Sequence, residues 1–203
     1  MRFSDFLQEQ KEKHAVMAFG RMNPPTTGHK VLVDKVHELA KKHGAHYQVV
    51  LSKSQDKDKN PLSAETKLKH AKRFFPDTNL RAATSSEPTL IHHAARLSRA
   101  GHDHLIMVAG SDRVPEYKKL LHTYNGKPDK KGNIPFSFKK IDVVSAGERD
   151  PDAEGAEGMS ASKMRKHAKN NNFKEFKKGI PDHVSHEHAK ELFHDVRKNM
   201  GHE

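Results

Sequence analysis

The chain is predicted to fold as an α/β domain around a doubly wound, five-stranded parallel sheet with a C-terminal helical extension. Two observations lead there. Five short apolar runs recur between residues 14 and 146, and stretches of helical periodicity stand between them. Strand runs that alternate with helices of this length call for crossover connections, and crossovers place the strands parallel. A third observation removes rival classes. There is no cysteine and no run of 18 apolar residues, so a disulfide scaffold, a Cys-ligated zinc site, a thiol nucleophile and a membrane-spanning helix are excluded.

The first strand is read at 14–20, HAVMAFG. A helix follows at about 29–43, with Leu32, Val36 and Leu39 forming a stripe and Gly44 as its stop. The second strand, HYQVVLS at 46–52, runs into the polar loop SKSQDKDKNP and a helix at 63–75. NLRAATS at 79–85 is the third strand. The helix after it, at 88–100, places Pro88 in its first turn and buries Leu90, Ile91, Ala94 and Ala95. HLIMVAG at 104–110, a helix at 113–122 and FKKIDVVSA at 138–146 complete the sheet. Beyond residue 147 the character changes. GERDPDAEGAEG reads as an acidic, Gly-rich loop, MSASKMRKHAKNN as a helix and NFKEFKKGIP as a shorter one, with a break at Pro181. In the last segment Ala189, Leu192, Phe193, Val196 and Met200 recur at spacings of three and four, an amphipathic helix expected to dock on the body. The expected organisation is an N-terminal segment at 1–13, the α/β domain at 14–170 and a helical extension at 171–203.

Charge narrows the partners. The chain has 203 residues, a net charge of +11 and a pI near 9.7, while only 33% of it is hydrophobic. That balance favours polyanions: nucleic acid, nucleotides or phosphorylated substrates. The N-terminus lacks an apolar core of the signal-peptide kind, so a soluble chain in the cytoplasm, with no membrane partner, is expected.

The most informative stretch is AFGRMNPPTTGHK at 18–30. In open α/β sheets ligands bind beyond the carboxyl ends of the strands, and this turn joins such an end, near Gly20, to the start of a helix. Helix-N-terminal amides there face an anion. Gly28 permits close backbone approach, Arg21 can chelate phosphate oxygens, and His29 can donate to an oxyanion. Pro24 and Pro25 stiffen the loop. A second stretch, GMSASKMR at 158–165, is legible in the same terms. Ser160 is a good N-cap, and Ser162 and Arg165, three apart, share a face at a helix start.

GRMNPPTTGH resembles the signature of the nucleotidyltransferase superfamily with a (T/H)xGH motif, in the form found in NMN adenylyltransferases. GMSASKMR resembles that superfamily's second signature, a Ser/Thr-rich segment ending in Arg after the fifth strand. Both occur in order and on the expected elements, over roughly residues 14–170. The resemblance implies a Rossmann-like fold. It also implies in-line attack of an acceptor phosphate on the α-phosphorus of a nucleoside triphosphate, releasing pyrophosphate. It further implies Thr26 and His29 on the triphosphate, with Thr27 and Gly28 completing the motif. Ser162 and Arg165 would hold the β- and γ-phosphates, Ser160 would be a further nucleotide-binding residue, and Arg21 would hold phosphate of either substrate. VAGSDRVPEY at 108–117 resembles the segment that meets the nucleotide ribose, through Gly110 and Asp112. Mg2+ would be carried mainly by the phosphates. The expected donor is ATP and the expected acceptor nicotinamide mononucleotide, which would place the enzyme in NAD synthesis.

Three features depart from that pattern. Thr26 stands where many members have His, Ala161 stands where Ser or Thr is usual, and there is no Trp to stack a nicotinamide. Phe136, Phe138 and Tyr117 are the aromatics that would replace it. Arg165 after the Ser-rich segment resembles adenylyltransferases, whereas Glu157-Gly158 resembles cytidylyltransferases, so CTP with a phosphorylated alcohol stays open. A nucleotidyltransferase fold kept as a basic, nucleic-acid-associated phage virion protein with little catalysis is the other alternative.

Lys53, Lys57 and Lys59 read as a solvated run rather than phosphate ligands. His183, His186, His188 and His194 lie on a polar helical segment and carry no metal-site expectation; no metal ligand is assigned. MRFSDFLQEQ at the N-terminus resembles the capsid-targeting peptides of large contractile-tailed phages, which are trimmed after Leu-x-Glu, here Leu7-Gln8-Glu9. That resemblance implies a phage-encoded protein of the host cytoplasm, packaged into the virion. A plain N-terminal helix is the alternative.

Overall fold

A computed structural model describes residues 13–147 and 159–202. The readings of the N-terminal peptide, of the acidic loop and of Glu157-Gly158 fall outside these residues.

Five strands form one sheet: β1 (His14–Gly20), β2 (His46–Leu51), β3 (Leu80–Ala82), β4 (His104–Ala109) and β5 (Lys140–Ser145). All neighbours pair in parallel, in the order β3-β2-β1-β4-β5. This is the doubly wound, Rossmann-like α/β fold that the alternation predicts. The helices are α1 (Lys30–His43), α2 (Ala64–Phe74), α3 (Leu90–Arg99), α4 (Val114–Tyr124), α5 (Ala161–Lys169), α6 (Phe173–Lys177) and α7 (His186–Asn199).

The pleat sorts the core into two layers. Val16 and Ala18 of β1, Val49 and Leu51 of β2, and Ile106 and Val108 of β4 face α1, α2 and the C-terminal helices. Ala15, Met17, Leu105, Met107 and Ile141 face α3 and α4. β4, central and covered on both faces, is buried at all six positions, hence its unbroken apolar run. The C-terminal helices belong to the first layer: Met164 and Ala168 of α5, Phe176 of α6, and Leu192, Phe193 and Val196 of α7 join that cluster. Their starts are capped by Ser160, Asn172 and Ser185, each accepting a backbone N–H three residues on.

Several element ends differ from expectation. The first helix is preceded by a 3-10 turn, Thr27–His29, and the fourth by another, Ser111–Arg113. The third strand is only three residues long, because the chain turns at once to bond Thr84 with Glu87. Pro88 lies before the N-cap Thr89, outside the first turn of α3. The fifth strand starts two residues late because Asn125 takes both backbone groups of Phe138.

β1 and β4 are neighbours, but the chain leaves them toward opposite edges of the sheet. Their carboxyl ends therefore flank the crevice where doubly wound sheets bind ligands.

Candidate functional site

A cleft of about 490 Å³ opens at that crevice. Its floor is Gly20 and Ala109-Gly110 at the ends of β1 and β4, with Ser52 at the end of β2. Arg21 and His29 enter from the first motif, and Ser160, Ser162 and Arg165 from the start of α5. Asp112, Arg113 and Tyr117 come from the fourth-strand turn and α4. The two motifs and the ribose segment read from sequence are thus brought to one cavity.

The first motif is folded to hold His29. The Thr26 N–H donates to His29 Nδ1 at 3.0 Å, and Thr26 Oγ1 lies 3.1 Å from the same nitrogen. A backbone N–H can only donate, so Nδ1 accepts, and in the neutral ring the proton is on Nε2. His29 is buried but lines the cleft, so that ring presents a donor of fixed orientation.

Thr26, Thr27 and Gly28 stand behind the wall rather than in it. Thr26 is buried against His29. The Thr27 N–H donates to the Gly179 carbonyl at 2.9 Å, tying the motif to the turn after α6. Thr27 Oγ1 is buried with no hydrogen-bond partner among the described residues. A Cβ on Gly28 would lie 2.7 Å from the Met159 carbonyl oxygen. Gly28 therefore provides close backbone approach, as its residue type implies, and the backbone that approaches is the segment leading into the second motif.

The motifs are bridged through Asn23, which sequence reading passed over. Its buried amide donates to the Leu62 carbonyl at 3.0 Å and accepts the Leu62 N–H at 2.9 Å. Its own carbonyl accepts from Arg165 at 2.7 Å, and Arg165 also donates to Ser162 Oγ at 3.1 Å. Arg165 is held half-buried at the cleft edge. Burial first, and the Arg21 guanidinium next, lower its pKa, yet an arginine stays charged.

Other neighbours were not expected in the cleft. Lys59 lines it, whereas Lys53 donates to Ser85 Oγ. The cause is local: Asp56 accepts the N–H groups of Asp58, Lys59 and Asn60, folding the polar loop so that Lys59 returns to the cavity. The Asn60 side-chain amide first, and these backbone bonds after it, hold the Asp56 carboxyl down at about 2. Of the three aromatics considered for stacking, Phe136 and Phe138 are core residues; Tyr117 lines the cleft and donates to the Phe19 carbonyl at 3.2 Å. Burial raises the Tyr117 pKa.

Among the described residues lining the cleft, the carboxylates are Asp112 and Glu116, and Glu116 is bonded to Arg113. Among these described residues there is no carboxylate cage for a cation. The one His/acid group compact enough for a metal among the described residues is His70, Glu191 and Asp195, between α2 and α7. Lys69 and Arg73 already bond those acids, so the group reads as an interhelical ion network. His183 Nε2 donates to the Arg73 carbonyl at 3.0 Å, since a carbonyl oxygen only accepts. His186 packs edge-on against Phe173.

The comparisons agree with this architecture. A family model described as cytidylyltransferase-like matches residues 17–167, well over half of the chain. The crystal structure of Thermotoga maritima TmcAL bound with alpha-thio ATP is similar, with a TM-score of 0.50 and 11% identity. The likeness covers 93% of this chain and 56% of that one, so this chain spans little more than half the length of that protein. At such identity the likeness is one of fold. No curated protein matches the chain. No helix of the described residues is long and apolar enough to cross a membrane.

Proposed function

The chain belongs to the cytidylyltransferase-like family, and from that premise we propose that it transfers a nucleoside monophosphate to a phosphorylated acceptor in this cleft. The observation that carries the proposal is the convergence of His29 and Arg165 on one cavity at the carboxyl ends of β1 and β4. Two charge-stabilising groups, one oriented by Thr26 and the other by Asn23, face the same space.

The reaction needs no covalent intermediate. An acceptor phosphate oxygen attacks the α-phosphorus, a new P–O bond forms, and the bond to the α,β-bridging oxygen breaks. Pyrophosphate leaves with that electron pair. Catalysis is positioning and charge stabilisation. His29 Nε2 donates to an α-phosphate oxygen as charge develops there. Arg165, Ser162 and the amides of the first turn of α5 hold the β- and γ-phosphates. Arg21 and Lys59 add positive charge at the opening, and Asp112 accepts from ribose hydroxyls. Magnesium would be held by the phosphates and water and would neutralise the triphosphate.

We assign AMP from ATP as the transferred group and nicotinamide mononucleotide as the acceptor. The support is the Gly-Arg-spacer-Pro form of the first motif and Arg165 at the end of the second. Of Phe136, Phe138 and Tyr117, Tyr117 lines the cleft and is the one that could offer a nicotinamide a ring face. Pyrophosphate release with magnesium, crossing ATP and CTP with NMN and a panel of phosphorylated alcohols, tests the assignment. Turnover with ATP and NMN that falls about 100-fold or more in His29→Ala supports it. Turnover with CTP and a phosphorylated alcohol would replace donor and acceptor while keeping the chemistry. Silence across the panel would refute the transferase reading.

A further inference from the structure

Resting on the reading of the cleft as a polyphosphate site, we propose that Lys67 is a buried counter-charge for the bound nucleotide and takes up a proton when nucleotide binds.

Lys67 lies on α2 with none of its surface exposed. Its Nζ donates to the Ser52 carbonyl and, at 3.4 Å, approaches the Ser52 hydroxyl. Both partners are neutral. Among the described residues no carboxylate lies within ion-pairing distance of Nζ, which is unusual because a buried ammonium without a counter-ion is costly. The charged neighbour whose field reaches it is Arg21, a like charge. Burial first, and Arg21 next, bring the Lys67 amine down to about 8.

The position explains what could supply the missing charge. Ser52 lines the cleft, and its N–H donates to the Gly20 carbonyl at 2.8 Å, so Lys67 stands directly behind the ends of β1 and β2. Arg21 and Arg165 line the same cleft, and Arg21 lowers Arg165 as it lowers Lys67. Asp56 opposes this field at Arg165, but nothing comparable opposes it at Lys67. Arg21 thus acts as a like charge on both Arg165 and Lys67, and Lys67 is removed from water. A bound polyphosphate reverses the local potential and favours the ammonium over the amine. A lysine that merely tied down Ser52 would need no such charge change, because a neutral amine can still donate.

The test is a carbon-NMR titration of the lysine ε-methylenes in the full chain, with and without saturating ATP and, separately, CTP. Lys67→Arg assigns the resonance. Lys67 is expected to titrate near 8 in the free protein and about one unit or more higher with nucleotide bound. In parallel, wild-type affinity for ATP should fall about tenfold between about pH 7.5 and about pH 9.5, while Lys67→Arg, charged throughout, keeps its affinity. The terminal phosphate of ATP loses its last proton near pH 6, so the nucleotide does not supply this profile. Nucleotide binding with an unmoved Lys67 resonance, or the same pH profile in both proteins, would overturn the proposal and leave the cleft reading intact. Failure of both nucleotides to bind at any pH would overturn the cleft reading, and this inference with it.

Discussion

Replacing Gly28 by Ala perturbs the seam between the two motifs with a single methyl group. Gly28 does not need glycine for its backbone angles, so the effect is one of space. The added Cβ would meet the Met159 carbonyl oxygen at 2.7 Å and Thr26 Oγ1 at 3.5 Å. The first contact is backbone and cannot rotate aside. Either the segment before Ser160 or the turn carrying His29 must move by several tenths of an ångström. Overpacking of this kind costs about 1–3 kcal/mol. At about 2–4 °C per kcal/mol for a chain of this size, a cost of about 2 kcal/mol lowers Tm by about 4–8 °C. The same shift separates His29 from Ser162 and Arg165, and misplacement on the order of 1 Å costs about 100-fold in rate. The assay pairs thermal unfolding with pyrophosphate release. Gly20→Ala is the stability control, because its Cβ would meet nothing within 4 Å. If Gly28→Ala melted with wild type and turned over at the wild-type rate, the motifs would not meet through this seam.

Three other outcomes follow from named contacts. Asn23→Ala leaves the buried Leu62 N–H and carbonyl without their partner; it should cost about 2–4 kcal/mol in urea unfolding. Arg165→Lys keeps the charge but cannot bond Asn23 and Ser162 together, so KM for the triphosphate should rise about 10-fold or more in steady-state kinetics. Hydrogen bonds from Lys69 and then Arg73 hold the Glu191 carboxyl at about 2, below its usual 4.5. A depressed carboxylate stabilises the fold fully above pH 4.5 and loses that contribution as pH falls toward about 2. The carboxylate is more than one-third exposed, so screening reduces the contribution to about 1 kcal/mol. Glu191→Gln should therefore be less stable than wild type near neutrality by about that amount, with the gap closing below about pH 3 when unfolding is followed across pH.

The sheet was legible because its central strands are covered on both faces. β1 and β4 need continuous apolar runs, and such runs stand out against a charged chain. The edge strand β3 was overextended because NLRAATS has no internal signal for the turn that bonds Thr84 to Glu87. Residues that line the cleft were legible where chemistry and element ends coincide, as at His29 and at Ser160, Ser162 and Arg165. Thr26 and Gly28 belong to the same motif, yet the structure places them against His29 and Met159 behind the wall. Sequence order alone does not distinguish a residue that faces the cleft from one that shapes its back.

What escaped notice depends on distant partners. Asn23 meets Leu62 across 39 positions and Arg165 across 142, and nothing local marks either contact. Lys67 did leave a signal. It lies on the stripe of α2 shared with Ala71 and Phe74, where a charged residue conflicts with the helix's buried face. Lys59 was read as solvated because lysine runs usually are; the bonds accepted by Asp56 bring it back to the cleft.

The most direct test of the central claim is a structure of the protein with α,β-methylene ATP, which binds but cannot transfer its nucleotide. An α-phosphate oxygen should lie within hydrogen-bonding distance of His29 Nε2, with the β- and γ-phosphates on Arg165 and the first turn of α5. A triphosphate seated elsewhere, or with its phosphates turned away from His29 and Arg165, would contradict the account.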